Sequence, residues 1–382
     1  MKIRAHFALI LFLLAPLSAT QAADSSQIPP PPAIEARAYI LIDAKSGHVL
    51  AEQNADEPLE PASLTKIMTA YITFQELSKN ALQLDDMVTI SPEAAKSEGS
   101  RMFAEIGTAI AVENLLKGMI IQSGNDASIA LAERIGGTES NFARRMNETA
   151  QALGMSHTHY ENSMGLPNPN HYASARDMAI LSRALINDFP EYYRWHSIKE
   201  FTYNNIKQQN RNRLLWQDPT VDGVKTGHTD GAGYCLVASA VRNDMRLISV
   251  VMGTKSDQAR AATNAELLNY GFRWFESRTL YKAKTRLTEA QVWKGAESQV
   301  PAGLLEDFNV TFPRGQYETL KATMEVDNKS VAPVHAGDKL GSVKVMRNEE
   351  IIAQQDLVAL ETVERGGLFK RLFDEIAMMI KK

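Results

Sequence analysis

The segment Pro61-Ala62-Ser63-Leu64-Thr65-Lys66 sets the tightest limit on the fold, because it opens an apolar-periodic run through Ile67, Met68, Tyr71, Ile72 and Leu77. Apolar residues at i, i+3 and i+4 predict a buried amphipathic helix. A helix that begins near Ala62 puts Ser63 in its first turn, where free N–H groups and the helix dipole favour negative charge. Lys66 follows one turn later on the same face, within reach of the hydroxyl. That is the layout of a serine nucleophile with a lysine base. Ser-x-x-Lys alone ordinarily means a solvated helix face, so the catalytic reading depends on what else the chain supplies.

With 382 residues, 44% hydrophobic and 23% charged, the chain can bury a sizeable core and divides into about two domains. The first residues have the form of an export signal. Lys2 and Arg4 precede an apolar run from Phe7 to Leu17 that is too short for a comfortable membrane span, and small residues end it at Ala22-Ala23. Residues 1–23 are therefore read as a signal peptide and the mature chain as exported. The formal net charge of −4 becomes −6 without that segment, since Lys2 and Arg4 leave and no acid does. No basic field invites nucleic acid. Cys235 is the only cysteine and sits among Tyr234, Leu236 and Val237, which reads as a packed thiol in a core strand.

Residues 24–37 contain four consecutive prolines and form a stiff lead-in. A catalytic domain is expected over 38–283. It should start with a strand at Tyr39–Ile42, turned through Asp43–Gly47 into His48–Ala51, and continue into the Ser63 helix. Two apolar-periodic runs, Val112–Ile121 and Ala127–Ile135, are interrupted by Ser123-Gly124-Asn125 and predict helix, tight loop, helix. A further helix is expected over Phe142–Leu153. Another begins at the capping signal Ser174-Ala175-Arg176-Asp177, after a long loop between Asn162 and Asn170. From Val221 the pattern changes to strands, with a hairpin of Cys235–Val241 and Arg246–Met252, followed by a helix from Asp257 to about Glu276. Residues 284–365 read as a small all-β domain, with turns such as Asp327-Asn328 and Gly337-Asp338.

Lys225-Thr226-Gly227 precedes the hairpin strand, with Gly223, Gly231 and Gly233 nearby, where glycine lets a ligand approach the backbone. A strand edge there can pair with an extended peptide. Ser63-x-x-Lys66, Ser123-Gly124-Asn125 and Lys225-Thr226-Gly227 together, in this order, resemble the signature set of penicillin-binding proteins, with Gly124 where the general pattern has Asp. The resemblance is to the low-molecular-mass D-alanyl-D-alanine carboxypeptidases, and it extends to Gln122–Asp126, Ser174–Met178, Asp222–Asp230, the β domain and the terminal helix. It implies an α/β (α+β) serine β-lactamase/transpeptidase-like domain, with a central antiparallel sheet flanked by helices, followed by the β domain. It also implies that Ser63 is acylated, Lys66 is its base and Ser123 passes a proton to the leaving amine. Asn125, Lys225, Thr226, Gly227, His228 and Arg260 would bind substrate, His228 through its backbone N–H, which with that of Ser63 would form the oxyanion hole. The implied substrate is a peptidoglycan stem peptide ending in D-Ala-D-Ala, with β-lactams as covalent inhibitors and no cofactor.

A β-lactamase or a DD-endopeptidase shares the nucleophile, and a wall-binding scaffold is the reading without chemistry. Glu161 falls near the position of a deacylating glutamate, but Glu161-Asn162-Ser163-Met164-Gly165 does not match the class A pattern. His157, His159 and Glu161 lack a completing ligand motif, so no metal site is expected. Arg211 and Asp177 read as structural. Residues 366–382 place Leu368, Phe369, Leu372, Phe373, Ile376, Met379 and Ile380 at helical spacing behind Gly366-Gly367, with Lys370, Arg371, Asp374 and Glu375 on the other face. Such a helix is too charged to span a bilayer and is expected to lie in the interface, holding the enzyme on the periplasmic face of the inner membrane.

Overall fold

A hairpin of β1 (Ala38–Asp43) and β2 (Val49–Gln53) begins the fold, with Leu41 opposite Ala51. β1 is buried along its whole length because it lies inside an antiparallel sheet of order β2-β1-β5-β4-β3, where β3 is Val221–Thr229, β4 Gly233–Arg242 and β5 Met245–Thr254. One face of this sheet carries Ile40, Ile42, Ile248 and Val250 into the main core. The other takes a long helix, whose Gly271 lies against Leu41 and Leu247. Burial on both faces explains why these strands read as continuous apolar runs. β3 is the edge strand, so its outer hydrogen-bonding groups border the surface. The structure is a computed structural model that describes residues 28–327 and 329–380; the export segment 1–23 and Lys381-Lys382 lie outside the described residues, as does Asn328 of one expected turn.

The segment around Ser63 forms a 3-10 turn, Ala62–Thr65, that leads directly into helix α1 (Lys66–Ser78). The two apolar runs on either side of Ser123 become Val112–Lys117, continued by a π-type turn over Gly118–Gln122, and α2 (Asn125–Gly136). Helix Glu139–Ala152 is N-capped by Thr138, and α3 (Ala175–Asp188) by Ser174, whose hydroxyl accepts from the Asp177 N–H at 3.1 Å. Asp177 does not complete a capping box. Its carboxylate instead accepts from the His157 N–H and the Thr158 hydroxyl, both at 2.7 Å, and ties down the loop ahead of the site. Helix α4 (Asp257–Trp274) packs on the sheet through Gly271 and is N-capped by Ser256.

The strand after α4, Phe275–Tyr281, pairs with Phe308–Pro313, so its hydrogen bonds join it to the β domain. The sequence pattern put the boundary later, after residue 283, because no turn residue separates α4 from this strand. A five-stranded sheet completes the domain in the order 288–291, 299–303, 350–359, 339–347, 321–326, over a core that includes Val300, Phe312, Val343 and Leu357. The two domains meet where the hydroxyls of Ser46 and Thr311 lie 2.6 Å apart, and where Arg314 donates to the carbonyls of Phe272 and Phe275 at the end of α4.

Helix α5 (Leu368–Ile380) does not hang free behind its glycines. The Gly366 N–H donates to Lys294 O at 2.8 Å, and the buried Asp374 carboxylate accepts from the Lys294 N–H at 2.6 Å and from Lys370 Nζ at 3.1 Å. The polar face is thus docked on the β domain, and the apolar face is turned outward, with Phe369 81% and Phe373 70% exposed.

Candidate active site

The chemistry is set by the way α1 begins. Ala62 has a positive φ of 47°, and Gly165, at φ 88°, comes so close that a Cβ there would overlap Ala62 O. Backbone strain of this kind persists only where surroundings hold it in place. Here the 3-10 turn and the 162–166 loop lock each other, and Asn162 Oδ1 accepts from the N–H groups of Gly165 at 2.7 Å and Leu166 at 3.2 Å. The same loop turns Met164 O inward, where it accepts from Lys66 Nζ at 2.7 Å.

Lys66 is 1% exposed and donates to three oxygens: Ser63 Oγ at 2.8 Å, Asn125 Oδ1 at 2.7 Å and Met164 O. All three are neutral, so nothing repays the full desolvation of an ammonium. Burial, helped by the charge of Arg211 and opposed by that of Asp126, lowers the Lys66 pKa to about 7. Neutral Lys66 can therefore accept the proton of Ser63.

Ser123 follows the π-type turn in the left-handed conformation, φ 68°, which aims its hydroxyl at the sheet. Its Oγ accepts from Lys225 Nζ at 2.9 Å. Asn125, at the start of α2, accepts from Lys66 and donates one amide N–H to Glu98 O at 2.5 Å, which leaves its second N–H. Asp126 holds this loop in place: its carboxylate accepts from the N–H groups of Met102 and Ala104, each at 3.0 Å.

Lys225 lies on β3, 3% exposed, and donates also to Thr226 O at 3.0 Å. Its ammonium is held well below the ordinary lysine range, first by burial and then by the charges of Lys66, Arg211 and Arg260. No salt bridge joins Lys66 or Lys225 to a carboxylate among the described residues. Gly227 is where β3 crosses the Ser63 turn; a Cβ would lie 2.8 Å from Pro61 O and 3.2 Å from Leu64 N. The His228 ring is exposed and packs on Tyr234 with centroids 4.0 Å apart.

These groups border one cleft of about 1060 Å³, lined by Ser63, Ser123, Asn125, Thr226, Gly227 and His228 and extended by Arg211, Arg213 and Trp216. Arg260 also reaches it but is not a solvated helix residue. It is 6% exposed, donates to Gly227 O at 3.0 Å and pairs with Asp257. Asp257 is the one carboxylate on the cleft lining and pairs also with Arg213, which leaves the lining net positive. Glu161 does not join it: its backbone N–H donates to His171 Nδ1 at 3.1 Å, and its exposed carboxylate lies 3.1 Å from His159 Nε2.

Sequence reasoning missed three contributors. Arg211 was read as structural, yet it lines the cleft and depresses both lysines. Met164 O acts through its carbonyl, which no side-chain pattern reveals. His171, held by the Glu161 N–H and so donating from Nε2 to Thr65 Oγ1 at 2.9 Å, connects the loop to the catalytic turn; burial keeps it neutral, with a pKa lowered to about 4. Cys235 packs as expected, fully buried, with its thiol pushed up to about 11 by burial.

Comparison with known proteins bears on the whole chain. The profile of the D-alanyl-D-alanine carboxypeptidase family matches residues 24–256, and that of the penicillin-binding protein 5 C-terminal domain matches residues 275–365. The D-alanyl-D-alanine carboxypeptidase DacC of Escherichia coli is 46% identical over 96% of this chain and 93% of its own. The crystal structure of penicillin binding protein 5 from Haemophilus influenzae superposes with a TM-score of 0.84 at 41% identity, covering 88% of this chain and all of that one. Penicillin-binding protein D2 from Listeria monocytogenes, solved in its ampicillin-bound form, aligns with a TM-score of 0.59 at 31% identity over 64% of this chain and all of that one. The chain is a low-molecular-mass penicillin-binding protein and belongs to the D-alanyl-D-alanine carboxypeptidase family.

Proposed function

We propose that this serine-type D-alanyl-D-alanine carboxypeptidase works through a Ser63 acyl-enzyme, with Lys66 as its neutral general base. The observation that carries the proposal is Lys66 Nζ at 2.8 Å from Ser63 Oγ with only neutral oxygens around it. Lys66 takes the hydroxyl proton as Ser63 Oγ attacks the penultimate D-Ala carbonyl. The oxyanion is met by the N–H groups of Ser63 and His228. Ser123, bonded to Lys225, passes a proton to the amine of the departing D-Ala and is resupplied with the one that Lys66 took, which returns Lys66 to its neutral form. Water then hydrolyses the ester, with Lys66 again taking the proton.

The leaving residue carries a free carboxylate, and the positive cleft suits it. Its charge, set against Lys225 and Thr226, supplies the counter-ion that the protein withholds from Lys225 and so favours the protonated lysine when substrate is bound. Arg260 would act one step back, holding Gly227 O and therefore the strand that presents Thr226 and His228. Asn125 has an amide N–H left for the substrate backbone.

β-Lactams acylate the same serine. With Glu161 turned to His159, that glutamate does not reach the cleft to activate water for the drug ester, so that acyl-enzyme outlasts the peptide one.

We place the enzyme in the periplasm on the outer face of the inner membrane. None of the described helices is long and apolar enough to cross a membrane. The outward Phe369, Leu372, Phe373, Ile376 and Met379 of α5 suit burial in the interface plane, which would leave the β domain as a spacer below the cleft.

The decisive experiment measures D-Ala release from a stem pentapeptide together with covalent labelling by a fluorescent penicillin. Both should vanish in Ser63→Ala. Labelling that persists at another serine would overturn the assignment.

A further inference from the structure

Beyond the catalytic groups, β3 continues past His228 to Thr229, and Thr229 Oγ1 donates to Glu60 Oε2 at 3.0 Å. Glu60 immediately precedes the Pro61–Lys66 segment and is half-buried. No salt bridge joins it to a cation among the described residues. The cation that reaches the same corner, Arg37, touches Gly231 O at 3.5 Å and pairs with Glu57 at 3.4 Å. A carboxylate left unpaired beside a peptide-binding strand has a reason to be sought in the peptide.

The direction of the bound peptide follows from the roles proposed above, on which this inference rests. The scissile carbonyl accepts from the His228 N–H, and the terminal carboxylate lies back towards Thr226 and Lys225. The peptide therefore runs antiparallel to β3 as an added strand on its free edge. In an antiparallel pair the residue whose carbonyl accepts from His228 stands opposite His228, and the residue before it stands opposite Thr229. Directly opposed L-residues place their side chains on the same face.

That face is fixed by alternation along β3. Lys225 reaches Ser123, Gly227 abuts Pro61 O and Thr229 reaches Glu60, so these three positions face the Ser63 turn. An L-residue just ahead of D-Ala-D-Ala thus directs its side chain to the Thr229–Glu60 corner. We propose that Glu60, held by Thr229, is a specificity-determining subsite for a cationic side chain, an ammonium above all, on the residue that precedes D-Ala-D-Ala.

The test compares Nα-acetyl-L-Lys-D-Ala-D-Ala, with its ammonium free, against the Nα,Nε-diacetylated peptide, by kcat/KM for D-Ala release at pH 8 in low and high salt. A half-exposed ion pair predicts that wild type prefers the free ammonium about three- to fivefold at low salt, and less at high salt. Glu60→Gln, which keeps an oxygen for Thr229, should bring the ratio of the two substrates to about one, and Glu60→Asp should keep part of the preference. A merely structural role would lower both substrates together and leave the ratio unchanged. Equal rates in wild type, or a salt-sensitive preference that survives in Glu60→Gln, would overturn the subsite while leaving the Ser63 reading in place. If wild type is labelled by penicillin at a serine other than Ser63, the strand placement falls and the subsite falls with it. The wild-type ratio and its salt dependence need no variant, so the inference stays testable even if Glu60→Gln folds poorly.

Discussion

Helices α1 and α5 have the same length, thirteen residues each, and opposite relations to water. α1 buries nearly everything, including an ammonium that no carboxylate neutralises; α5 buries an aspartate and shows solvent its leucines and phenylalanines. Each breaks the ordinary rule in a costly direction. Burying an unpaired amine costs stability through lost hydration, and exposing a large side chain gives up roughly 1.5–3 kcal/mol of burial. In α1 the misplaced residue is the proposed base, its pKa lowered to about 7. In α5 the outward apolar face is the one that the proposed membrane attachment would cover. On the roles proposed above, the residue standing against its environment marks the function in both helices.

The contrast can be broken most sharply at Ser63. Ser63→Ala should lower D-Ala release by about 10⁴-fold or more and abolish penicillin labelling, with thermal unfolding nearly unmoved, since Ser63 is only half-buried. Lys66→Arg comes next. Guanidinium stays protonated and cannot accept the proton, so kcat/KM should fall about 10²- to 10⁴-fold, whereas Lys225→Arg keeps a cation for the substrate carboxylate and should lose less. Equal losses in the two variants would mean that the two buried lysines share one role.

At the other pole, removal of residues 366–382 should reduce sedimentation with anionic lipid vesicles by about 100-fold or more, while hydrolysis of a short peptide persists. Retained sedimentation would show that another surface carries the attachment; lost folding would show that Asp374 and its partners are needed by the β domain itself.

The pH profile gives the smallest effect and tests the cause of the α1 anomaly. Burial lowers the Lys66 pKa to about 7, and the base works only when neutral. Peptide kcat/KM should therefore fall as pH drops through 7, by about tenfold at pH 6 relative to its plateau. The charge of Lys66 in turn lowers the pKa of Lys225, so the two titrations are linked. A flat profile between pH 6 and 8 would remove the neutral-base reading.

Much of this was legible in the residues. Apolar spacing after Ser63, the glycine-flanked Lys225-Thr226-Gly227 strand and the capping serine at 174 are local signals, because helices, turns and strands are selected by neighbours a few positions apart. The Ser63–Lys66 contact was legible for the same reason: a three-residue spacing on one helix fixes the distance. The domain boundary was not, since Phe275–Tyr281 follows α4 without a break and its membership depends on pairing with Phe308–Pro313.

What the chain alone determined is the set of reactive groups, their order and the elements that bear them. Tertiary structure decided the rest, because desolvation and charge act through space. Met164 O, Asn125 and Arg211 come to Lys66 from segments 59 or more residues away, and burial in the core together with the Arg211 charge lowers its pKa to about 7. The outward turn of α5 was equally invisible in its own sequence: an amphipathic pattern specifies two faces, and only the dock of Asp374 on Lys294 decides which one meets the protein.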